Sequence, residues 1–339
     1  MRTEFELIEL LRERIAAAGA GSGERIVVPS GDDAAVTVPG GATATSVDAI
    51  VDGVHFRRST HPPDAIGTKA LAVAVSDLAA MGAAPGEAYV QLGLPEDLTE
   101  DELAGIADGI GAAAAMSGVV VAGGDVVASP VLFLALTVVG HAPGAASFVT
   151  RAGARPGDAL VLVGRLGGAS AGLALLEQPG LRDAVGGVEA DALIERQMRP
   201  RALVEAGRAL AASGAGAMID VSDGLGADAG HIARSSSVRL EIDLPAEAIC
   251  AGVEAVAEAT GRDPLVLTVN GGEDYALLAA VPEARLRAAL EAVLRTGDDP
   301  AVVGRVEAGE GVVLRSPTGR EALAEGFDQV RSRARGGPT

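Results

Sequence analysis

Apolar positions along the chain follow two spacings, one typical of helices and one typical of strands. In the first half, helical spacing over residues 63–81 and 99–116 predicts two long helices, and residues 4–15 carry an amphipathic pattern that predicts another. The other apolar runs of this half are short and predict strands, at residues 25–28, 34–38, 42–47, 89–94, 119–122 and 131–139.

The second half begins after residues 142–158, which are rich in Pro, Gly, Ala and Ser and predict a domain boundary. Strands are predicted at residues 159–163, 217–221, 239–242, 277–281 and 311–314. Helices are predicted from the glycine-rich turn 164–168 to residue 176, and at 190–212 and 282–294. Because both halves mix strands with helices, we expect a two-domain α+β or α/β protein, with domains at 1–145 and 146–332 and a disordered tail at 333–339.

Composition and charge narrow the possible functions. The chain has 339 residues, a net charge of −19 and 48% hydrophobic residues, which suits two compact cores and disfavours nucleic acids and membranes as partners. No apolar run reaches the ~18 residues that span a bilayer, and the N-terminal pattern is that of a helix rather than a signal peptide. Since Cys250 is the only cysteine, no internal disulfide can form, and we expect a cytoplasmic protein.

Aspartates repeatedly follow apolar runs, at the point where the chain turns or reaches glycine. They are Asp32, Asp33, Asp48, Asp77, Asp125, Asp220 and Asp223. Each one alone is explained equally well by a turn or a helix cap. If the fold gathers them, they form a site of hard oxygen ligands suited to Mg²⁺ and, through it, to phosphates. Two carboxylates ~5 Å apart repel by roughly 3 kcal/mol at an effective dielectric constant of ~20, so a gathered set requires cations.

Lys69 is the only lysine among the 27 Lys and Arg residues, and it is the first residue of the segment 69–83 that contains Asp77. Its compact ammonium could reach a phosphate or carboxylate, or it could simply lie on the helix surface. No Walker A sequence and no dinucleotide-binding glycine motif occurs. The four histidines lie in no nucleophile elbow and no zinc-binding spacing, so neither a covalent nucleophile nor a general base is predicted.

Six motifs together resemble the thiamine-monophosphate kinase family in their order and spacing. They are Gly-Asp-Asp-Ala-Ala at 31–35 and the segments 48–56, 69–83, 123–125, 219–225 and 271–275. The Gly-Asp-Asp and Gly-Gly-Asp elements are shared with the wider aminoimidazole ribonucleotide synthetase superfamily. The segment that contains Asp77, and Gly-Gly-Glu-Asp-Tyr at 271–275, are more specific to the kinase.

The resemblance implies ATP-dependent phosphorylation of thiamine monophosphate to thiamine diphosphate, with several Mg²⁺ ions. It implies an N-terminal α/β domain that binds ATP and Mg²⁺ and forms a barrel with its twin across a homodimer. A C-terminal α/β domain with a mixed sheet would complete the active site. The implied partners are therefore ATP, thiamine monophosphate and a second copy of the chain.

Site residues carry over position by position from the same resemblance. The implied metal positions are Asp33, Ser46, Val47, Asp48, Asp77, Asp125, Asp220 and Asp223. The implied ATP contacts are Gly124, Asp125, Arg151 and Ser222, and the implied substrate contacts are His55, Glu273 and Phe327. Many family members have threonine where this chain has Val47, so only a backbone carbonyl could serve there. Arg151 could instead be a linker residue, and Phe327 an ordinary packed aromatic.

Two other functions stay open at this stage. A sister enzyme of the superfamily would use ATP to activate a different group, although the chain has no N-terminal catalytic cysteine of the selenophosphate synthetase kind. It also has no C-terminal cysteine of the hydrogenase maturation kind, since Cys250 is internal. A non-enzymatic nucleotide-binding regulator is the remaining alternative.

Overall fold

The computed structural model describes residues 3–18, 25–30, 34–316, 318 and 321–322. Asp32, Asp33, Phe327 and the predicted tail at 333–339 lie outside these residues. The chain forms two compact units, each of which mixes strands with helices. One unit extends to Phe148 and includes Met198–Val204, and the other comprises Val149–Gln197 and the chain from Glu205.

In its described residues, the first unit has a four-stranded sheet and three α-helices. The helices are α1 (Glu4–Ala17), α2 (Pro63–Ala80) and α3 (Glu100–Ser117). The strands are β1 (Ile26–Val28), β2 (Val36–Thr37), β3 (Ala42–Val51), β4 (Ala84–Leu94), β5 (Val120–Ala128) and β6 (Phe133–Ala142). The sheet order is β3-β6-β4-β5, with β4 and β5 parallel and the other pairs antiparallel, while β1 and β2 form a separate hairpin.

The two long predicted helices are confirmed, and their ends have local causes. Pro62 and Pro63 begin α2 with the fixed backbone angle that suits a first helical turn. In α3, Thr99 and Glu102 form a capping box, and Gly118 ends the helix in the left-handed conformation, with φ 73°. Helix α2 is buried on nearly all sides because it packs against both α3 and the sheet.

Glycines allow α2 and α3 to approach closely. A Cβ on Gly67 would lie 2.0 Å from the Ile106 carbonyl oxygen, and a Cβ on Gly109 would lie 1.9 Å from the Asp64 carbonyl oxygen. No side chain can be accommodated at such distances without moving one helix. The distance between α2 and α3 therefore depends on these glycines.

The second unit is built on a seven-stranded mixed sheet in the order β13-β12-β9-β11-β7-β10-β8. Its strands are β7 (Ala159–Val163), β8 (Ala217–Val221), β9 (Arg239–Asp243), β10 (Ala276–Val281), β11 (Pro300–Glu307), β12 (Gly311–Arg315) and β13 (Glu321–Ala322). Strands β9 and β12 are parallel and the other pairs are antiparallel.

The described residues of the second unit form eight α-helices. They are α4 (Gly168–Glu177), α5 (Arg182–Val185), α6 (Gly187–Met198), α7 (Val204–Ala212), α8 (Leu225–Ser236), α9 (Val253–Thr260), α10 (Pro264–Val269) and α11 (Glu283–Leu294). The main core lies between the sheet and helices such as α8, and a smaller apolar cluster joins α4, α6 and α9. Aliphatic side chains and alanine fill both clusters.

Several expectations from the sequence need correction. The single helix predicted at 190–212 is two helices, α6 and α7, because Pro200 cannot continue the hydrogen-bond ladder. The strand predicted at 119–122 continues through its glycines to Ala128. Strand β11 and helices α8, α9 and α10 were not predicted. Among the described residues, no helix has both the length and the apolar character that a membrane span requires.

We expect Gly109→Ala to destabilise the first unit. Helix propensity alone would favour alanine by about 1 kcal/mol, but overpacking against the Asp64 carbonyl should cost roughly 1–3 kcal/mol or more and exceed this gain. Thermal unfolding of the two proteins measures the difference. Gly144→Ala is the matched control, because Gly144 has φ −162° and a Cβ added there would meet no neighbouring atom within 4 Å. Equal melting temperatures for Gly109→Ala and the parent would contradict close packing through this glycine.

Candidate active site

The first unit brings three of the predicted metal-binding residues to the junction of β3 and α2. The Ser46 hydroxyl donates a short hydrogen bond to the Asp77 carboxylate of α2. Asp48 lies two residues further along β3, on the same face, and its Oδ1 accepts a hydrogen bond from the Ala49 N–H at 2.8 Å. Val47 points the other way and is 69% exposed, so only its backbone remains on the side of Asp77.

Asp125 lies elsewhere in this unit. It is exposed on β5, where it pairs with Gln91, and the row continues through Ala135 to Ala49 on β3. Three strand spacings separate β5 from β3, or about 14 Å at the usual 4.7–4.9 Å per spacing. One unit therefore does not place Asp125 beside Asp48. The adjacent Gly124 also has a packing role, since a Cβ there would lie 2.2 Å from the Val90 carbonyl oxygen.

His55 occupies a tight turn directly after β3. Its Nδ1 accepts a hydrogen bond from the Val51 N–H at 3.1 Å, which places the proton of the neutral ring on Nε2. Lys69 is completely buried, and its ammonium donates a hydrogen bond to the His55 carbonyl oxygen at 3.0 Å. The alternative that Lys69 lies on the helix surface is therefore wrong, and its charge helps to hold the His55 turn.

The second unit gathers three carboxylates around the end of β8. Asp220 is the buried penultimate residue of β8, and Asp223 follows in the turn to α8. Asp228, in the first turn of α8, accepts hydrogen bonds from the Ser222 and Asp223 N–H groups, each at 3.0 Å. Burial, and then the charges of Asp220 and Asp223, raise the pKa of Asp228 to about 7. The carboxylates are thus close enough to disfavour one another's charge.

Arg151 lies beside α8, in the connection that leads to β7. The hydroxyl of Ser236, the last residue of α8, donates a hydrogen bond to the Arg151 carbonyl oxygen at 3.1 Å. Burial lowers the pKa of His231 on the same helix, and the charges of Arg151 and Arg234 lower it further. The charge of the Arg151 guanidinium is therefore felt at His231, on the helix that follows Asp223.

Glu273 is held against the same turn by its backbone. Its N–H donates to the Ser222 carbonyl oxygen at 2.8 Å, and the Tyr275 N–H donates to the Val221 carbonyl oxygen at 2.9 Å. Gly272 permits this approach, because a Cβ there would lie 2.5 Å from the Ser222 carbonyl oxygen. The second unit thus brings together Glu273, Ser222 and the Asp220–Asp223 segment.

Comparison with known proteins identifies the family. Residues 31–142 match the AIR synthase related protein, N-terminal domain, and residues 155–316 match its C-terminal domain. A thiamine-monophosphate kinase from Methanopyrus kandleri is 36% identical over 323 residues, which cover 94% of each chain. The crystal structure of thiamine-monophosphate kinase from Stenotrophomonas maltophilia K279a superposes with a TM-score of 0.80 at 34% identity, covering 92% of this chain and 97% of that one.

A further neighbour was solved with ligands. AaThiL complexed with AMPPCP and TMP is similar to this chain with a TM-score of 0.71 and 31% identity, over 96% of this chain and 98% of that one. The chain belongs to the thiamine-monophosphate kinase family. The candidate site residues described above are those that the family motifs predict. Two further predicted residues, Asp33 and Phe327, lie outside the described part of the chain.

Sequence reasoning missed two acidic residues that hold these segments of the second unit in place. Asp228 could have been found from its place in the first turn of a helix after Asp-Gly, but α8 itself was not predicted. Asp274 gives no local signal, because its carboxylate accepts hydrogen bonds from Gly167 N–H at 2.7 Å and Ala169 N–H at 3.1 Å, over 100 residues earlier in the chain. Asp274 thereby fixes the start of α4 to the Glu273 segment.

The donor atoms fit Mg²⁺ in their chemistry. Ser46, Asp48 and Asp77 in one unit and Asp220 and Asp223 in the other supply oxygen, the ligand type that this ion prefers. Within the described part of the chain, no three His, Cys, Asp or Glu side chains are already arranged as a metal site. The raised pKa of Asp228 indicates a group of carboxylates around the end of β8 whose negative charges a cation would stabilise.

Asp274 should make stability depend on pH. Burial raises its pKa to about 7, against the opposing effect of the Gly167 and Ala169 N–H groups. A carboxyl group whose folded pKa lies above its unfolded value stabilises the protein at low pH, and this contribution is lost as pH rises from about 4 to about 7. The melting temperature of Asp274→Asn relative to the parent should therefore rise between about pH 5 and pH 8.

The measurement is a pair of thermal melts at each pH. Asp183→Asn, an exposed change in the same unit, controls for a general effect of removing one negative charge. A difference between Asp274→Asn and the parent that stays constant with pH would contradict the raised pKa.

Proposed function

We propose that this protein is a thiamine-monophosphate kinase that transfers the γ-phosphoryl group of ATP to thiamine monophosphate, giving ADP and thiamine diphosphate. The observation that carries the proposal is 31% identity over nearly the whole of AaThiL, whose structure holds an ATP analogue together with TMP. The sequence retains oxygen ligands at each implied metal position in the described residues, except that Val47 offers only its backbone carbonyl.

Residues from both halves of the chain are proposed to bind Mg²⁺. They are Asp33, Ser46, Val47 through its carbonyl, Asp48, Asp77, Asp125, Asp220 and Asp223. Bound Mg²⁺ would neutralise the charge on the phosphates and align them for transfer. The residues of this chain prepare the site by holding the carboxylates in place: Ser46 orients Asp77, and Asp228 orients the turn of Asp223 through two backbone N–H groups.

Different residues are proposed to bind the nucleotide and the acceptor. Gly124, Asp125, Arg151 and Ser222 are proposed to contact ATP, with the Arg151 guanidinium attracting the phosphates. His55, Glu273 and Phe327 are proposed to contact thiamine monophosphate. The hydrogen bond from Val51 N–H to Nδ1 supports a role for His55 as an Nε2–H donor to a substrate oxygen rather than as a base.

The reaction needs no covalent intermediate on the protein. A phosphate monoester has a second pKa of ~6, so the acceptor is mainly a dianion at neutral pH. One of its oxygens forms the new bond to the γ-phosphorus as the bond to the β,γ-bridging oxygen breaks, and the bridging oxygen leaves on ADP. The protein supplies position and charge, which is the main requirement of phosphoryl transfer.

A homodimer would complete the site. Asp48 and Asp125 lie on the two opposite edge strands of the sheet, too far apart to ligate one ion. Two copies joined as a barrel, with β5 of one beside β3 of the other, would bring an Asp125 to each Asp48. The exposed face of the sheet, with Val47 at 69% exposure, supports such an association, as each copy would cover the other.

The same reasoning gives each half of the chain a role. We assign residues 1–145 to ATP and Mg²⁺ binding and dimerisation, and residues 146–332 to completing the active site. The use of ATP as co-substrate and the presence of a single cysteine, Cys250, support a cytoplasmic location.

ADP formation should depend on thiamine monophosphate. With purified protein, ATP and Mg²⁺, we expect rapid ADP release only when this acceptor is added, together with an equal amount of thiamine diphosphate. Free thiamine, which lacks the phosphate that attacks, should give no product. ADP release that is independent of thiamine monophosphate, or stimulated by a different acceptor, would contradict the proposal.

Mixing inactive variants should test the shared site. Asp48→Asn and Asp125→Asn should each lose most activity, but after subunit exchange half of the dimers contain one intact site, which restores about a quarter of parental activity. Asp48→Asn mixed with Asp77→Asn is the control, because both residues are proposed to come from one copy, so no site is intact. No recovery in the first mixture would place Asp125 in the same copy as Asp48.

A further inference from the structure

The backbone at Glu273 is held in an unfavourable conformation. Glu273 has φ 66° and Tyr275 has φ 49°, both in the left-handed region that residues with a Cβ rarely occupy. The hydrogen bonds from these residues to Ser222 and Val221 maintain the conformation. Left-handed non-glycine residues are concentrated at functional sites, where surrounding structure imposes them. The conformation therefore indicates that the direction of the Glu273 side chain has a functional role.

A buried glutamine meets that side chain. Gln197, in the last turn of α6, is 2% exposed, and its Nε2 donates a hydrogen bond to Glu273 Oε2 at 2.9 Å. An ionised carboxylate only accepts hydrogen bonds, so the amide must present its nitrogen to Glu273. The strained backbone and the buried amide donor thus both fix the position of the Glu273 carboxylate.

The hydrogen-bond donor to Glu273 is a neutral amide rather than a charged group. An amide orients the Glu273 carboxylate but contributes no charge, whereas Arg or Lys at position 197 would add a positive charge beside it. At more exposed carboxylates this chain does use arginine, as in Arg58 with Asp97 and Arg199 with Asp64. A neutral donor suits a carboxylate whose negative charge is needed for a cationic ligand.

We propose that Gln197 is a positioning residue that determines specificity, by aiming the Glu273 carboxylate at the cationic ring of the thiamine substrate. The inference rests on the proposed function, because it requires Glu273 to meet that ring. Gln197 itself touches no substrate in this assignment. It acts only through Glu273, so its loss should affect one substrate and not the other.

Two substitutions test the role through steady-state kinetics. Gln197→Met keeps the volume but removes the donor, and should raise KM for thiamine monophosphate by about tenfold or more, with KM for ATP and kcat much less changed. Gln197→His restores a donor. At about pH 9 its imidazole is neutral, and at about pH 6 it is a cation that would offset the charge of Glu273. Its KM for thiamine monophosphate, relative to the parent at each pH, should therefore rise as pH falls.

Matched variants separate the possible failures. Gln178→Met, an exposed change in the same unit, should leave both KM values unaltered. Glu273→Ala should raise KM for thiamine monophosphate and abolish the pH dependence that Gln197→His introduces. If the parent does not phosphorylate thiamine monophosphate, the proposed function itself fails.

Two results would overturn the role of Gln197 while leaving the kinase intact. One is an unchanged KM for thiamine monophosphate in Gln197→Met when Glu273→Ala raises it. The other is an equal rise of both KM values with a fall in melting temperature, which marks a purely structural residue. If Gln197→Met does not fold, Gln197→His decides, and a KM ratio to the parent that is the same at both pH values overturns the proposal.

Discussion

The site is governed by the need to hold negative charge without cancelling it. Carboxylates that leave water lose favourable hydration, and gathered carboxylates also repel one another. The protein meets both demands with neutral donors: Ser46 for Asp77, two backbone N–H groups for Asp228, two more for Asp274 and the Gln197 amide for Glu273. Such donors hold each carboxylate in one orientation without placing a positive charge beside it.

Backbone packing sets the positions of these donors. Helix α2 carries both Asp77 and Lys69, and glycines at its contact with α3 determine how closely these two helices pack. Lys69 then holds the His55 turn through a buried charged hydrogen bond, the kind of contact that is costly to break once it is removed from water. The packing of α2 in the interior of the first unit therefore also sets the positions of Asp77 and the His55 turn.

Aliphatic residues make that packing possible with few aromatic side chains. Only 2% of the sequence is aromatic, and the two clusters of the second unit are filled by alanine, valine, leucine and isoleucine. Glycine leaves further room where backbones meet, because a Cβ on Gly124 would clash with the Val90 carbonyl oxygen and a Cβ on Gly272 with that of Ser222. Polar loops at the ends of β8 and β10 are thereby brought within hydrogen-bond reach of each other.

The sequence by itself determined the helices with strong periodicity and clear caps, α2 and α3, and the short motifs in which chemical groups are close in the chain. It also indicated the family, because the Asp and Gly residues of those motifs need no tertiary information to be compared. Local signals fail where a proline divides an otherwise helical pattern, as between α6 and α7, and where a strand runs through glycine, as in β5.

Only the tertiary structure decided which groups meet across long separations. Asp274 caps a helix that begins more than 100 residues earlier, Gln197 meets Glu273 76 residues away, and Lys69 turns inward to a carbonyl rather than outward to solvent. It also placed Asp48 and Asp125 on opposite edges of one sheet, although both lie in aspartate motifs of the same kind. The physical reason is that strand order and helix packing, which follow from burying apolar surface as a whole, set these distances, while each motif records only its own neighbours.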